Sequence, residues 1–210
     1  MALRWSCFLS FRGGKGDLAS GILDLFAKAL ANELELQVDA GVYRYTEEMV
    51  AGDFIDPTIA DELLASACMV ILFTGKYFSK TQSYCAREYL AMSRLETVRL
   101  NQLTSESRPK KGLIVPVILR NLDRFPPILK GRFWFNFTDF VEGDTGIAKP
   151  KRFFADIRKI AAYIAARYYE LDAVVGEEDQ LDLPNDQEIQ DFLTAVESSL
   201  RTKAQKPKRH

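Results

Sequence analysis

A single histidine, His210, stands at the last of 210 positions. With no other imidazole in the chain, a Ser-His-Asp or Cys-His catalytic arrangement and a His-ligated zinc site fall away, and no metal is expected. Any chemistry must then use carboxylates, hydroxyls, thiols, Lys, Arg or a bound cofactor. Cysteine is scarce as well: Cys7, Cys68 and Cys85 are an odd number, widely spaced and set in apolar context. That pattern predicts buried free thiols in a reducing, cytoplasmic compartment, not a disulfide framework. The longest apolar runs, Ala67 to Phe73 and Leu113 to Leu119, fall far short of the ~20 residues that span a bilayer. The start, Met1 to Trp5, lacks the apolar core of a secretion signal, so no membrane association is expected. Charge bias is missing too. A formal net charge of -1 offers no basic surface for nucleic acid, and the short basic stretch from Arg201 to His210 reads as a solubilising tail or the start of a linker. Hydrophobic residues make up 47% of the chain, which at this length supports one full-sized domain plus an accessory element.

Taken in order, Trp5 to Phe11 is a compact β-prone run stopped by Gly13, Gly14 and Gly16. Asp17 then caps a helix with an apolar stripe of Leu18, Ile22, Leu25, Phe26, Ala29 and Leu30. A second strand falls between Leu36 and Tyr45, and the polar loop Thr46 to Asp53 leads to a helix marked by Ile55, Ile59, Leu63 and Leu64, with Pro57 in its first turn. Cys68 to Phe73 is a continuous apolar run, the pattern of a central strand covered on both faces. A helix from a Ser83 cap to about Val98 follows. Gly112 to Leu119 is the fourth strand, placed at or near a sheet edge by Pro116. Phe133 to Phe137 is a short fifth strand whose leading aromatics, Phe133-Trp134-Phe135, are expected in the core. Phe153 to about Leu171 is a long helix. The cadence predicts an α/β fold with a central five-stranded parallel sheet flanked by helices. Residues 1–171 form this domain, 172–184 an acidic linker, and 185–210 a C-terminal helix and basic tail. The stripe Ile189, Phe192, Leu193, Val196 and Leu200 must dock on its own domain, a second copy or another partner.

One acid is out of place. On the predicted helix Tyr84, Glu88, Ala91 and Leu95 share a row, so Glu88 interrupts an apolar face. Its neighbours at three and four residues, Tyr84, Cys85, Ala91 and Met92, provide no ion pair. Such a carboxylate is either paired with a distant Arg or Lys or kept for chemistry. A second candidate is Gly14-x-Gly16-x-x-Ala19, which satisfies the dinucleotide-binding pattern after a strand and before a helix. Read as a phosphate-contacting loop it would suit a Rossmann-type oxidoreductase; read plainly it is a flexible turn. The Walker pattern fails, since no Ser or Thr follows Lys15.

Several pieces together resemble a known family. Ser6-Cys7-Phe8-Leu9-Ser10-Phe11 is similar to the first motif of TIR (Toll/interleukin-1 receptor) domains, and Thr46 to Asp53 to their BB loop. Tyr77-Phe78-Ser79 through Ser83-Tyr84-Cys85-Ala86-Arg87-Glu88 resembles the second motif, with Tyr84 where Trp is usual, and Phe133-Trp134 the third. The resemblance covers about residues 4 to 170, and implies the flavodoxin-like TIR fold. Many TIR domains cleave NAD+. For this chain the resemblance implies NAD+ as substrate and no prosthetic group, with Glu88 as catalytic residue. It also implies a pocket contacted by Ser10, Phe11, Arg12, Gly13, Tyr45, Ser83 and Tyr84. The products would be nicotinamide with ADP-ribose or a cyclic isomer, in a bacterial anti-phage effector. Self-association into a homo-oligomer or filament is implied too, with Tyr43, Tyr45, Glu47 and Glu48 completing a neighbour's pocket, and a downstream sensor domain or partner effector is a further implied partner. A non-catalytic TIR scaffold is the rival of a different class.

Overall fold

The computed structural model describes residues 3–12, 17–44, 55–81, 83–103, 112–142, 146–147, 150–175 and 181–204. Its centre is a parallel sheet of β1 (Trp5–Phe11), β2 (Gly41–Arg44), β3 (Ser66–Phe73), β4 (Ile114–Ile118) and β5 (Phe135–Asn136) in the order β2-β1-β3-β4-β5. This is the flavodoxin-like order, as the resemblance to TIR domains implies. The helices α1 (Asp17–Glu35), α2 (Ile55–Leu64), α3 (Tyr84–Gln102) and α5 (Pro150–Asp172) cover it. Right-handed crossovers fix the faces: the chain moves one way from β1 to β2 and the other way from β2 through β3 to β4. Accordingly α1 packs with α5, and α2 with α3. A short α4 (Pro127–Lys130) precedes β5, and β6 (Val141–Glu142) pairs antiparallel with β7 (Gly146–Ile147).

Every residue of β3 is buried, as a continuous apolar run under helices on both faces requires. Strand β1 is buried along its middle and slips register against β2 between Trp5 and Cys7. There the Ser6 hydroxyl donates to the Gly41 carbonyl at 2.8 Å. A Cβ on Gly41 would lie 3.2 Å from the Trp5 ring, so glycine permits this close approach. The thiols of Cys7, Cys68 and Cys85 are buried and free, and burial pushes Cys7 up to about 12.

One sequence expectation holds and two are corrected. Pro116 lies near the sheet edge as expected, in β4 beside the edge strand β5; it sits opposite Ile71 of β3, and β5 pairs only with Val117 and Ile118. The aromatic run splits. Phe133 is 78% exposed and Trp134 half-buried against Phe125, while Phe137 fills the core with Phe26, Phe140 and Phe153 at centroid distances of 4.9–5.4 Å. With β5 only two residues long, strand alternation does not extend back to Phe133. Finally, Ser83 has helical φ/ψ (-85°, -3°) and its side chain makes no capping bond, so the helix begins without the expected cap.

The last helix, α6 (Asp186–Ala204), docks on its own chain, against α3 and α4. Asn185 and Glu188 close a reciprocal cap: the Glu188 amide donates to Asn185 Oδ1 at 3.0 Å and the Asn185 amide to Glu188 Oε2 at 2.8 Å. That amide, together with Arg94, holds the Glu188 carboxyl below its usual range. Ile189 and Leu193 are buried against Ala86, and Phe192 meets Phe78 and stacks on Tyr89 at 5.2 and 5.5 Å. Exposed pairs such as Arg87–Asp186 at 2.6 Å rim the contact. Apolar burial should therefore dominate the docking. In urea denaturation, Leu193→Ala is expected to lower stability by about 2–4 kcal/mol and Asp186→Ala by under about 1 kcal/mol. Equal losses would show that charge, not packing, holds α6.

Candidate active site

Besides Ser6, strand β1 carries one more hydroxyl, Ser10, in an otherwise apolar stretch. Ser10 is 1% exposed and sits beside Ile71 of β3, so its polar atom needs a partner inside the protein. The partner is Glu88: Ser10 Oγ donates to Glu88 Oε2 at 2.5 Å, across 78 residues of sequence. On its other side Ser10 Oγ lies 2.5 Å from the Tyr77 hydroxyl, in the turn after β3. That turn is closed by the Tyr77 amide bonding the Thr74 carbonyl at 2.9 Å. Helix α3 delivers Glu88 on the face it buries, with Cys85, Ala91, Met92 and Leu95, as the row in the sequence predicts. The exception is Tyr84, which is 48% exposed at the start of the helix.

A buried carboxylate with so little around it is hard to ionise. Burial pushes Glu88 up from the ordinary 4.5 to about 7, against the downward pull of the Ser10 hydrogen bond. Among the described residues no ion pair reaches it, so its partner is a hydroxyl and not a distant Arg or Lys. Its surroundings feel the same constraint. Tyr77 is raised well above its ordinary value by burial, then by Cys85 and Glu88, and Cys85 is raised by burial and Glu88. Arg12 supplies positive charge at the end of β1, pulling Cys85 down while donating to the Lys76 carbonyl at 2.9 Å.

Another glutamate, two turns along α3, makes the contrast. Glu96 is buried to the same extent as Glu88, each 7% exposed. Yet Glu96 accepts the amides of Leu113 and Ile114 and a bidentate Arg132 at 2.6 and 2.7 Å. One acid is stapled into the fold by charge and backbone. The other is not.

Of the residues expected at the site, the structure brings together Ser10 and Glu88, with Arg12 following on the same strand end. Phe11 is half-buried, its ring under the Arg44 guanidinium at 5.2 Å. Ser83 is half-buried beside the exposed Tyr84. Gly13, Tyr45, the glycine pattern from Gly14 to Gly16 and the loop Thr46 to Asp53 lie outside the described residues. Tyr43 is half-buried, its ring packed on Trp5 and Phe8 at 5.6 and 5.2 Å. Neither Tyr77 nor Glu96 is marked out as a site residue by the sequence. For Tyr77 the available signals are its place at the head of the stretch that resembles the second motif and its position just past a wholly apolar strand. Glu96 has none, being one polar residue among several on its helix.

The site sits where the sheet reverses. Ser10 to Arg12 end β1, and Tyr77 follows the end of β3; between these two strands the chain changes its direction of progress across the sheet. In open α/β sheets ligands bind in the crevice outside the carboxyl ends of the strands at that point. No protein-family model matches the chain, and no curated protein does. Among solved structures it is similar to the TIR domains of the activated Roq1 resistosome directly recognizing the pathogen effector XopQ. Identity is 18% and the TM-score 0.39, over 90% of this chain and 98% of that one. The strand order, not this likeness, carries the fold.

Proposed function

We propose that the protein is an NAD+ nucleosidase of the TIR type, with Glu88 as its catalytic carboxylate. The observation that carries this reading is the Ser10–Glu88 contact at 2.5 Å: a buried carboxylate held by a hydroxyl, with no cation paired to it among the described residues, at the switch point of the sheet. Breaking the bond between nicotinamide and ribose passes through an oxocarbenium-like state. The bonding pair goes to the pyridinium nitrogen, so nicotinamide leaves neutral and needs no general acid. The sugar carbon gains positive charge, and an ionised Glu88 stabilises it and accepts hydrogen bonds from ribose hydroxyls. Water then bonds to that carbon and releases a proton, giving ADP-ribose; attack by the adenine instead gives a cyclic isomer. None of this requires histidine. Arg12, the positive group at the end of β1, suits the dinucleotide's phosphates, and the exposed Tyr84 ring offers a face for a flat base.

In the same reading the protein is an immune effector that acts in a self-assembled form. Release of free nicotinamide, measured at low and high protein concentration beside Glu88→Ala, is the test. Release by the wild type that rises more steeply than protein concentration, and none by the variant, is the expected outcome. A flat specific activity would remove self-assembly. Silence at every concentration, with NAD+ left intact, would favour the scaffold.

A further inference from the structure

Ser10 is the only link between the Glu88 carboxylate and a third buried group, Tyr77, among the described residues. We propose that Tyr77 is a positioning residue for Glu88, its phenol fixing the direction of the Ser10 hydroxyl that holds the carboxylate. This rests on the proposed role of Glu88 only for its consequence in catalysis; the hydrogen-bond relay itself does not.

Hydrogen counting gives the direction. A serine hydroxyl has one proton to donate and lone pairs to accept with. An ionised carboxylate only accepts, so the Ser10 proton points to Glu88 Oε2, and the Tyr77 hydroxyl must then donate to Ser10 Oγ at 2.5 Å. The phenol keeps its proton across the working range, because burial raises it well above its ordinary value. A donor behind a donor polarises it, so the bond Ser10 makes to the carboxylate strengthens. Tyr77 is well placed to fix that geometry. It is wholly buried, with its ring edge-on to Phe78 at 4.8 Å and tilted against Phe73 at 6.1 Å. The other ionisable groups around the pair are Cys85 and Tyr89 on α3 and Arg12 just past β1; α6 presents the uncharged ring of Phe192 to Phe78 and Tyr89.

The test is Tyr77→Phe in the full chain, which keeps the ring contacts and removes only the hydroxyl. The Glu88 side-chain carboxyl is titrated by carbon NMR, its signal assigned with Glu88→Gln. The wild-type midpoint is expected near 7, and Tyr77→Phe is expected to move it upward by roughly half to one pH unit. Ser10→Ala should move it at least as far, and adding Tyr77→Phe to Ser10→Ala should do nothing more. With NAD+, the acid limb of the rate profile should shift by the same amount and kcat at pH 7 fall about two- to fivefold with KM nearly unchanged. An unmoved midpoint in Tyr77→Phe, or in Ser10→Ala, overturns the relay whatever the activity. A moved midpoint without nicotinamide release keeps the relay and removes the proposed reaction.

Discussion

Glu88→Gln will abolish nicotinamide release and, at the same time, make the protein more stable. The two effects share a cause. Burial raises the folded-state carboxyl from 4.5 to about 7, which corresponds to about 3 kcal/mol of folding free energy lost whenever the group must ionise. The sign follows from the protons bound in each state. Below about pH 4.5 Glu88 is protonated in both the folded and unfolded chain, and no penalty applies. Between 4.5 and about 7 the unfolded chain releases its proton first, so stability falls as pH rises. Above 7 the full penalty is present. Glutamine carries no such charge and still accepts the Ser10 hydrogen bond through its amide oxygen. Thermal melts at pH 8 should thus place the variant about 5–10 °C above the wild type, and melts at pH 4.5 should nearly coincide. Activity, in contrast, should drop at least about 100-fold, and the wild-type profile should lose its rate as pH falls through about 7. A variant less stable than the wild type at pH 8 would mean that Glu88 is an ordinary structural acid.

This opposition of stability and activity also explains which parts of the molecule are legible in the sequence. Strands and helices are legible to within a few residues, because β3 is apolar throughout and α1 and α5 carry clear stripes on one face. Glu88 stands out because it violates such a stripe, and violations without local compensation collect at functional sites. What it touches cannot be read from the chain. Ser10 and Tyr77 lie on two other segments, and only the parallel register of β1 and β3 brings their ends together. Phe133 misleads for a related reason. Aromatic character suggests core, but the strand that would set its orientation lasts only from Phe135 to Asn136. The docking of α6 stays open for want of a partner in sequence; Phe192 finds it in Phe78 and Tyr89, more than a hundred residues away by number.

Glu96→Ala should produce the opposite result to Glu88→Gln, although both acids are equally buried on one helix. Removing Glu96 leaves the Leu113 and Ile114 amides without their acceptor and the Arg132 guanidinium without its counter-charge. A charge stranded in this way costs about 3–5 kcal/mol, and each unsatisfied buried amide adds its own desolvation penalty of about 1–3 kcal/mol. The site has no slack to absorb the change: a Cβ on the adjacent Gly112 would fall 2.2 Å from Glu96 Oε1, so this backbone fits closely around the carboxylate. Glu96→Gln separates the contributions. Its amide oxygen can still receive the two backbone donors, while the charge opposite Arg132 is gone, so its loss should be roughly half that of alanine. Urea denaturation of the three proteins at pH 7 measures the series directly. Any Glu96→Gln protein that remains folded should keep the KM of the wild type for NAD+, because the bonds lost lie at the β4 end of α3 and not at Ser10. A Glu96→Ala loss under about 1 kcal/mol would show that water reaches this network, and that the difference between the two glutamates is not set by their partners.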